Sequence, residues 1–163
     1  MANLILDERD QHFLLYEMLE VERLCEHPLY ADFSKDIFDM ILTEAQKFAV
    51  EEVFPTLVEA DREGCRLEDG QVYVPKVFHR VYKLFCEGGW GAMSFPPEMG
   101  GQGLPIIMRT AGQEWFIHNF ALISYPGLTE GAAHLIAVFG TDEQRQKYLE
   151  TVSYTHLRAH ETV

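Results

Sequence analysis

Two glutamate–histidine pairs, Glu114 with His118 and Glu130 with His134, stand four residues apart, the spacing at which side chains share one face of a helix. Such pairs bind metal when partner helices add carboxylates, but carboxylate-bridged centres in helix bundles use Glu-x-x-His, a spacing of three. Gly127 and Gly131 also make the second segment a poor rigid platform for ligands. Two incidental helical pairs, with no metal, is the favoured reading. A serine nucleophile is no better supported. Ser94 precedes Phe95-Pro96 without the Gly-x-Ser-x-Gly turn, and Ser124 has no marked base beside it. Cys25, Cys65 and Cys86 are odd in number and far apart, so they suit buried reduced thiols rather than a disulfide framework or a zinc knuckle.

The densest signal lies between Glu87 and Pro105, where six of the twelve glycines and three of the seven prolines fall between two segments that read as helix. Glycine tolerates positive φ and close backbone approach, while proline fixes φ and removes a donor. A loop of this kind either cradles a phosphate or cofactor or makes a rigid helix-to-helix connection. The second reading is preferred, because Gly100-Gly101-Gln102-Gly103 has no strand before it and no lysine in it. Trp90, Phe95, Trp115, Phe116 and Phe120 have the types to cover a cofactor ring, but such spacing is more often plain packing.

The elements that must position these residues are helical. Asp7–Leu24 carries Phe13, Leu14, Met18, Val21 and Leu24 near helical spacing and predicts one amphipathic helix; Cys25–Phe33 reads as a linker. Ser34 offers an N-cap for a long helix through Val53, with Ile37, Ile41, Ala45 and Phe48 on a stripe widened by Phe38, Leu42 and Ala49. Pro55 should kink or end it, with a continuation over Leu57, Val58 and Asp61 to Gly64. Asp69-Gly70 marks a turn before the extended Val72-Tyr73-Val74. Pro75 opens a helix whose face is Val77, Phe78, Val81, Leu84 and Phe85, closed at Gly88. After the loop, the spacing predicts a helix from Ile106 to about Phe120, an interruption at Pro126-Gly127, and a helix over Thr129–Phe139 capped by Gly140. Thr141 and Gln144 form a capping box for the last helix.

Composition sets the bounds. The 163 residues are 47% hydrophobic, enough for one packed core, and no run of about eighteen apolar residues occurs. Met1–Leu6 lacks the form of a signal peptide, so a soluble cytoplasmic protein is expected. A formal net charge of -13 opposes binding to nucleic acid or to anionic lipid.

The run Gly88–Pro105 resembles the loop between helices in the N-terminal domain of acyl-CoA dehydrogenases, where a Pro-Glu-x-Gly-Gly-x-Gly pattern recurs. Gly140–Leu149 is also similar to that family, and Arg9–Leu19 resembles an N-terminal extension of one branch, which includes methylmercaptopropionyl-CoA dehydrogenase-like enzymes. The resemblance implies an all-α domain of about six helices, with residues 1–33 an N-terminal extension and 34–152 the family's N-terminal helical domain. After Thr151 the pattern fails. Residues 153–163, and Tyr154–Val163 in particular, resemble translated adapter read-through and are expected to be non-native.

The resemblance further implies an FAD enzyme in which a carboxylate base takes the α proton of an acyl-CoA thioester and FAD takes a hydride from the β carbon. Base and flavin contacts belong to later domains of the family, so no catalytic, cofactor or metal residue is assigned in this chain, which is expected to be inactive alone. Electron-transferring flavoprotein and a homo-oligomeric assembly are the implied partners of the complete enzyme. One wall of the acyl cavity maps to the segment with Ser124, Tyr125, Gly127 and Leu128, for which ordinary interhelical packing is the competing account. The alternative to an enzyme fragment is a stand-alone helical protein-interaction module.

Overall fold

The computed structural model describes residues 3–149, together with the backbone but not the side chain of Tyr125. The boundary at 152/153 and the adapter-like residues Tyr154–Val163 lie outside the described residues. The fold is all-α, with one small hairpin among the described residues.

The first predicted helix is broken. It runs as α1 (Glu8–His12), continues as a π turn over Phe13–Met18, then reverses at Glu20, whose φ of 48° is left-handed, before a 3-10 segment over Val21–Glu26. In an unbroken helix Val21 would sit roughly 240° around the axis from Leu15. The reversal lets both be buried.

Helix α2 (Lys35–Phe48) starts where Ser34 accepts from the Ile37 N–H, and it buries Phe38, Leu42 and Ala45. Its stripe runs on through Ala49 and Val53 in a π turn that precedes Pro55, and a 3-10 turn over Phe54–Thr56 leads into α3 (Leu57–Glu63). Thr56 donates its hydroxyl to Val53 O at 2.7 Å, occupying a carbonyl at the kink. Strands β1 (Arg66–Glu68) and β2 (Gln71–Tyr73) pair antiparallel about Asp69-Gly70, both at positive φ as a tight hairpin turn requires. Helix α4 (Lys76–Glu87) buries Phe78, Val81, Phe85 and Cys86. Of the three cysteines only Cys86 is buried; Cys65 is exposed at the end of α3, which corrects the expectation of three buried thiols.

The largest correction concerns the second half. Helix α5 (Ile106–Glu114) stops at Trp115 rather than reaching Phe120, and α6 (Phe120–Phe139) runs straight through Pro126 and Gly127, where a break was expected. Leu122, Ile123, Pro126 and Ala133 are all buried, so the unbroken helix seats one side in the core despite the donor that proline lacks. Helix α7 (Asp142–Gln144) opens with the predicted capping box, Gln144 N donating to Thr141 Oγ1 and Thr141 N to Gln144 Oε1.

The centre of the core is aromatic. Phe116 meets Trp90 edge-on at 5.1 Å, Phe48 at 5.7 Å and Phe85 at 5.8 Å between ring centroids. The five aromatics singled out above do not form one cluster. Phe95 instead stacks on His134 at 4.0 Å, and Phe120 is 66% exposed.

Candidate functional site

The glycine-rich loop is closed on itself. Gly100, Gly101, Gln102, Gly103 and Leu104 donate their N–H groups to the carbonyls of Pro97, Pro96, Ala92, Phe95 and Met93 at 2.9–3.3 Å. A phosphate cradle needs such donors turned outward, and here consecutive ones are spent inside. The loop is the rigid connection the missing lysine suggested.

The predicted acyl-wall residues fall on α6. Ser124 and Gly127 are half-buried, Leu128 is 76% exposed, and the side chain of Tyr125 is outside the described residues. Phe120, Ser124 and Leu128 are four apart and share a face, which extends along the helix to Leu135 and Phe139. Nothing lies within 4 Å of where a Cβ on Gly127 or Gly131 would sit. The structure therefore brings Ser124, Gly127 and Leu128 to one open, apolar side of a helix. Beside the first turn of α6, a mostly apolar cavity of about 180 Å³ is lined by Val74, Phe78, His79, Tyr82, Ala121 and Leu122.

The opposite side of α6 carries a buried charge. Glu130 is 3% exposed; its Oε2 takes Arg109 Nη2 at 2.7 Å and Gln113 Nε2 at 3.1 Å, both from α5. Its Oε1 has no hydrogen-bond partner among the described residues, and His134 Nε2 lies 3.9 Å from it. Ser94 Oγ lies 3.4 Å from that same Nε2. A serine–histidine–carboxylate relay requires the two ring nitrogens to face different partners, so this contact chain is not a nucleophilic triad. The pair Glu130 and His134 ties α6 to α5 and to the loop. Glu114 and His118 are separated by the end of α5 and turn to different partners, Gln11 and Trp115. Among the described residues, no three His, Cys, Asp or Glu side chains gather as metal ligands would.

Both ends of the α5–α6 turn are pinned by side chains that the sequence reading missed. Asn119 accepts from Leu122 N through Oδ1 and donates through Nδ2 to Thr56 Oγ1 at 3.0 Å. Gln11 donates to Ala111 O and Glu114 Oε2 and accepts from Trp115 Nε1, at 2.9–3.0 Å. An asparagine three residues before a protected amide is a legible N-cap, but the apolar period across Ile106–Phe120 masked it.

Within this turn, burial holds His118 below the usual histidine range, against a contact with Trp115 O that acts the other way. The 2.9 Å approach of Nδ1 to that carbonyl requires Nδ1 to carry the proton, leaving Nε2 buried without a partner among the described residues. For a depressed histidine the unfolded chain binds protons first, so stability is full above the ordinary value and is lost as pH falls through it. Denaturation midpoints are expected to drop between about pH 7.5 and 5.5, and His118→Phe to remove part of that drop. Equal pH slopes for the two proteins would contradict this.

The loop amides are internally bonded, and the half-buried Arg109 is committed to Glu130. No reaction step is assigned to these side chains.

Residues 36–154 match the family described as acyl-CoA dehydrogenase, N-terminal domain. The chain is 34% identical over 142 residues to 3-methylmercaptopropionyl-CoA dehydrogenase of Ruegeria pomeroyi, an alignment covering 82% of this chain and 24% of that protein. It is 26% identical over 145 residues to the broad-specificity linear acyl-CoA dehydrogenase FadE5 of Mycobacterium tuberculosis, covering 85% of this chain and 23% of that one. The chain thus spans about a quarter of the length of the curated relatives it matches. Among the described residues no helix is long and apolar enough to cross a membrane.

Proposed function

This chain belongs to the acyl-CoA dehydrogenase family, and from that premise we propose that it is the N-terminal helical part of an FAD-dependent enzyme that dehydrogenates an acyl-CoA thioester between its α and β carbons. In this reading residues 34–152 form the domain, 1–33 are an extension, and 153–163 are not native sequence. The catalytic base and the flavin contacts lie beyond this chain. FAD accepts the hydride in the complete enzyme; the residues here do not hold it. Electron-transferring flavoprotein as electron acceptor, a homo-oligomeric assembly and a cytoplasmic location belong to the same proposal.

The contribution of this part is a wall. The observation that carries it is the open apolar side of α6, where Gly127 leaves space that any larger residue would fill. An acyl cavity needs such a surface: apolar, shaped by small residues and covered by something else. Ser124, Tyr125, Gly127 and Leu128 are proposed to face the acyl chain. In an enzyme completed with the remaining domains of a relative, Gly127→Leu is expected to lower kcat/KM for the longest acyl chains by roughly 10- to 200-fold while sparing short ones. Unchanged chain-length preference would remove the wall assignment.

The same exposed stripe also favours the second reading, a stand-alone module that binds a protein partner through α6. Genomic DNA downstream of the Val152 codon separates the two. Continuation into a Thr-Glu-Pro-containing barrel supports the enzyme, and a genuine stop near Val163 supports the module.

A further inference from the structure

We propose that Gln11, on the N-terminal segment, is a positioning residue that ends α5 and so sets the course of α6. At the end of α5 the Trp115 N–H turns to Gly112 O at 3.3 Å, leaving Ala111 O without the donor that a continuing α-helix would supply. Gln11 Nε2 fills that place at 2.9 Å, donates also to Glu114 Oε2, and Gln11 Oε1 accepts from Trp115 Nε1 at 3.0 Å. The side chain is 3% exposed, and the backbone it caps lies a hundred residues away. Gln11 is thus a helix C-cap supplied in trans along the chain.

The alternative it suppresses is visible in the sequence. Ile106–Phe120 has an unbroken helical period, so α5 running on through Trp115–Asn119 would satisfy Ala111 O without help. That run-on helix would turn Phe120 and everything after it about a different axis. The broken form is held at one end by Gln11 and at the other by Asn119, which binds Thr56 at the α2–α3 kink. A segment lying before the matched residues 36–154 therefore decides where the proposed acyl wall points. Only this last consequence rests on the proposed function; the conformational role of Gln11 stands or falls without it.

The test is NMR on the full 163-residue chain. Gln11→Met keeps the volume and removes all three hydrogen bonds. The double variant Gln11→Glu with Glu114→Gln swaps the roles of the pair, keeps an acceptor for Trp115 Nε1 and keeps one carboxylate in the cluster, but has no donor at position 11 for Ala111 O. In both, the Cα shift of Asn119, which lies outside the helical region at φ -105° and ψ 69°, is expected to move to an α-helical value, and the amides of Ser124, Gly127 and Leu128 to shift. In Gln11→Met alone, the Trp115 indole N–H should also exchange at least about tenfold faster. Should Gln11→Met fail to fold, the double variant decides by its Cα shifts. A wild-type Asn119 Cα shift in the double variant would overturn the proposal, since it would show that the paired side chains, not the cap on Ala111, hold the break.

Discussion

Replacing Arg109 with methionine is expected to lower the unfolding free energy by about 3 kcal/mol, toward the lower end of the range for breaking a buried ion pair, because Arg109 is itself 21% exposed. The cause is Glu130. Its carboxylate is 3% exposed and sits between α5 and α6 with Arg109 as its one close cation; without Arg109 it keeps only the Gln113 amide and the distant His134. For a chain of this size such a loss corresponds to a fall of roughly 6–12 °C in Tm, readable by thermal or urea denaturation. Arg109→Met with Glu130→Met should recover most of the stability, because removing both partners leaves no unpaired charge. A single variant within about 0.5 kcal/mol of the parent would mean that water already solvates the pair.

Gly101→Ala is expected to cost about 3 kcal/mol or more, at the upper end of what overpacking does. A Cβ there would lie 2.0 Å from Phe95 O and 2.4 Å from its carbonyl carbon, and neither is a flexible side-chain tip that can step aside. Moving Phe95 breaks the Gly103 N to Phe95 O bond at 2.9 Å and disturbs the ring stacked on His134. Loop and α6 should therefore loosen together, seen as a lower denaturation midpoint and faster amide exchange in both segments. Gly127→Ala is the matched control. Its added methyl meets nothing within 4 Å in the middle of a helix, so about 0.5–1 kcal/mol of gain is expected. A tolerated Gly101→Ala would show that the loop is not closed on itself as described.

These two glycines illustrate how much of the site could be read from residue order. The density of glycine around Gly101 marked a tight connection, and the absence of a lysine argued against a phosphate cradle, which the internal hydrogen bonds bear out. The place of Gly127 within an unbroken helix was not legible in the same way. It stands next to Pro126, and a Pro-Gly pair reads locally as a break, whereas α6 runs through both. The apolar side it helps to open is a property of the packed helix.

Local chemistry was decided by sequence alone. The Ser34 cap, the Pro55 kink, the Asp69-Gly70 hairpin, the start of α4 after Pro75 and the Thr141–Gln144 capping box each depend on side chains within a few residues of the backbone they satisfy. The motifs in Gly88–Pro105 and Gly140–Leu149 were enough to indicate the family. Tertiary structure alone decided the reversal at Glu20, the stop at Trp115, the passage through Pro126 and the pairing of Arg109 with Glu130. At the α5–α6 turn and at the buried pair, a backbone or charged group has two acceptable local states, and the choice falls to a partner distant in the chain: Gln11 for Ala111 O, Thr56 for Asn119, Arg109 for Glu130. Periodicity records which residues prefer a helix, but a buried carbonyl or carboxylate must find its donor wherever the fold supplies one.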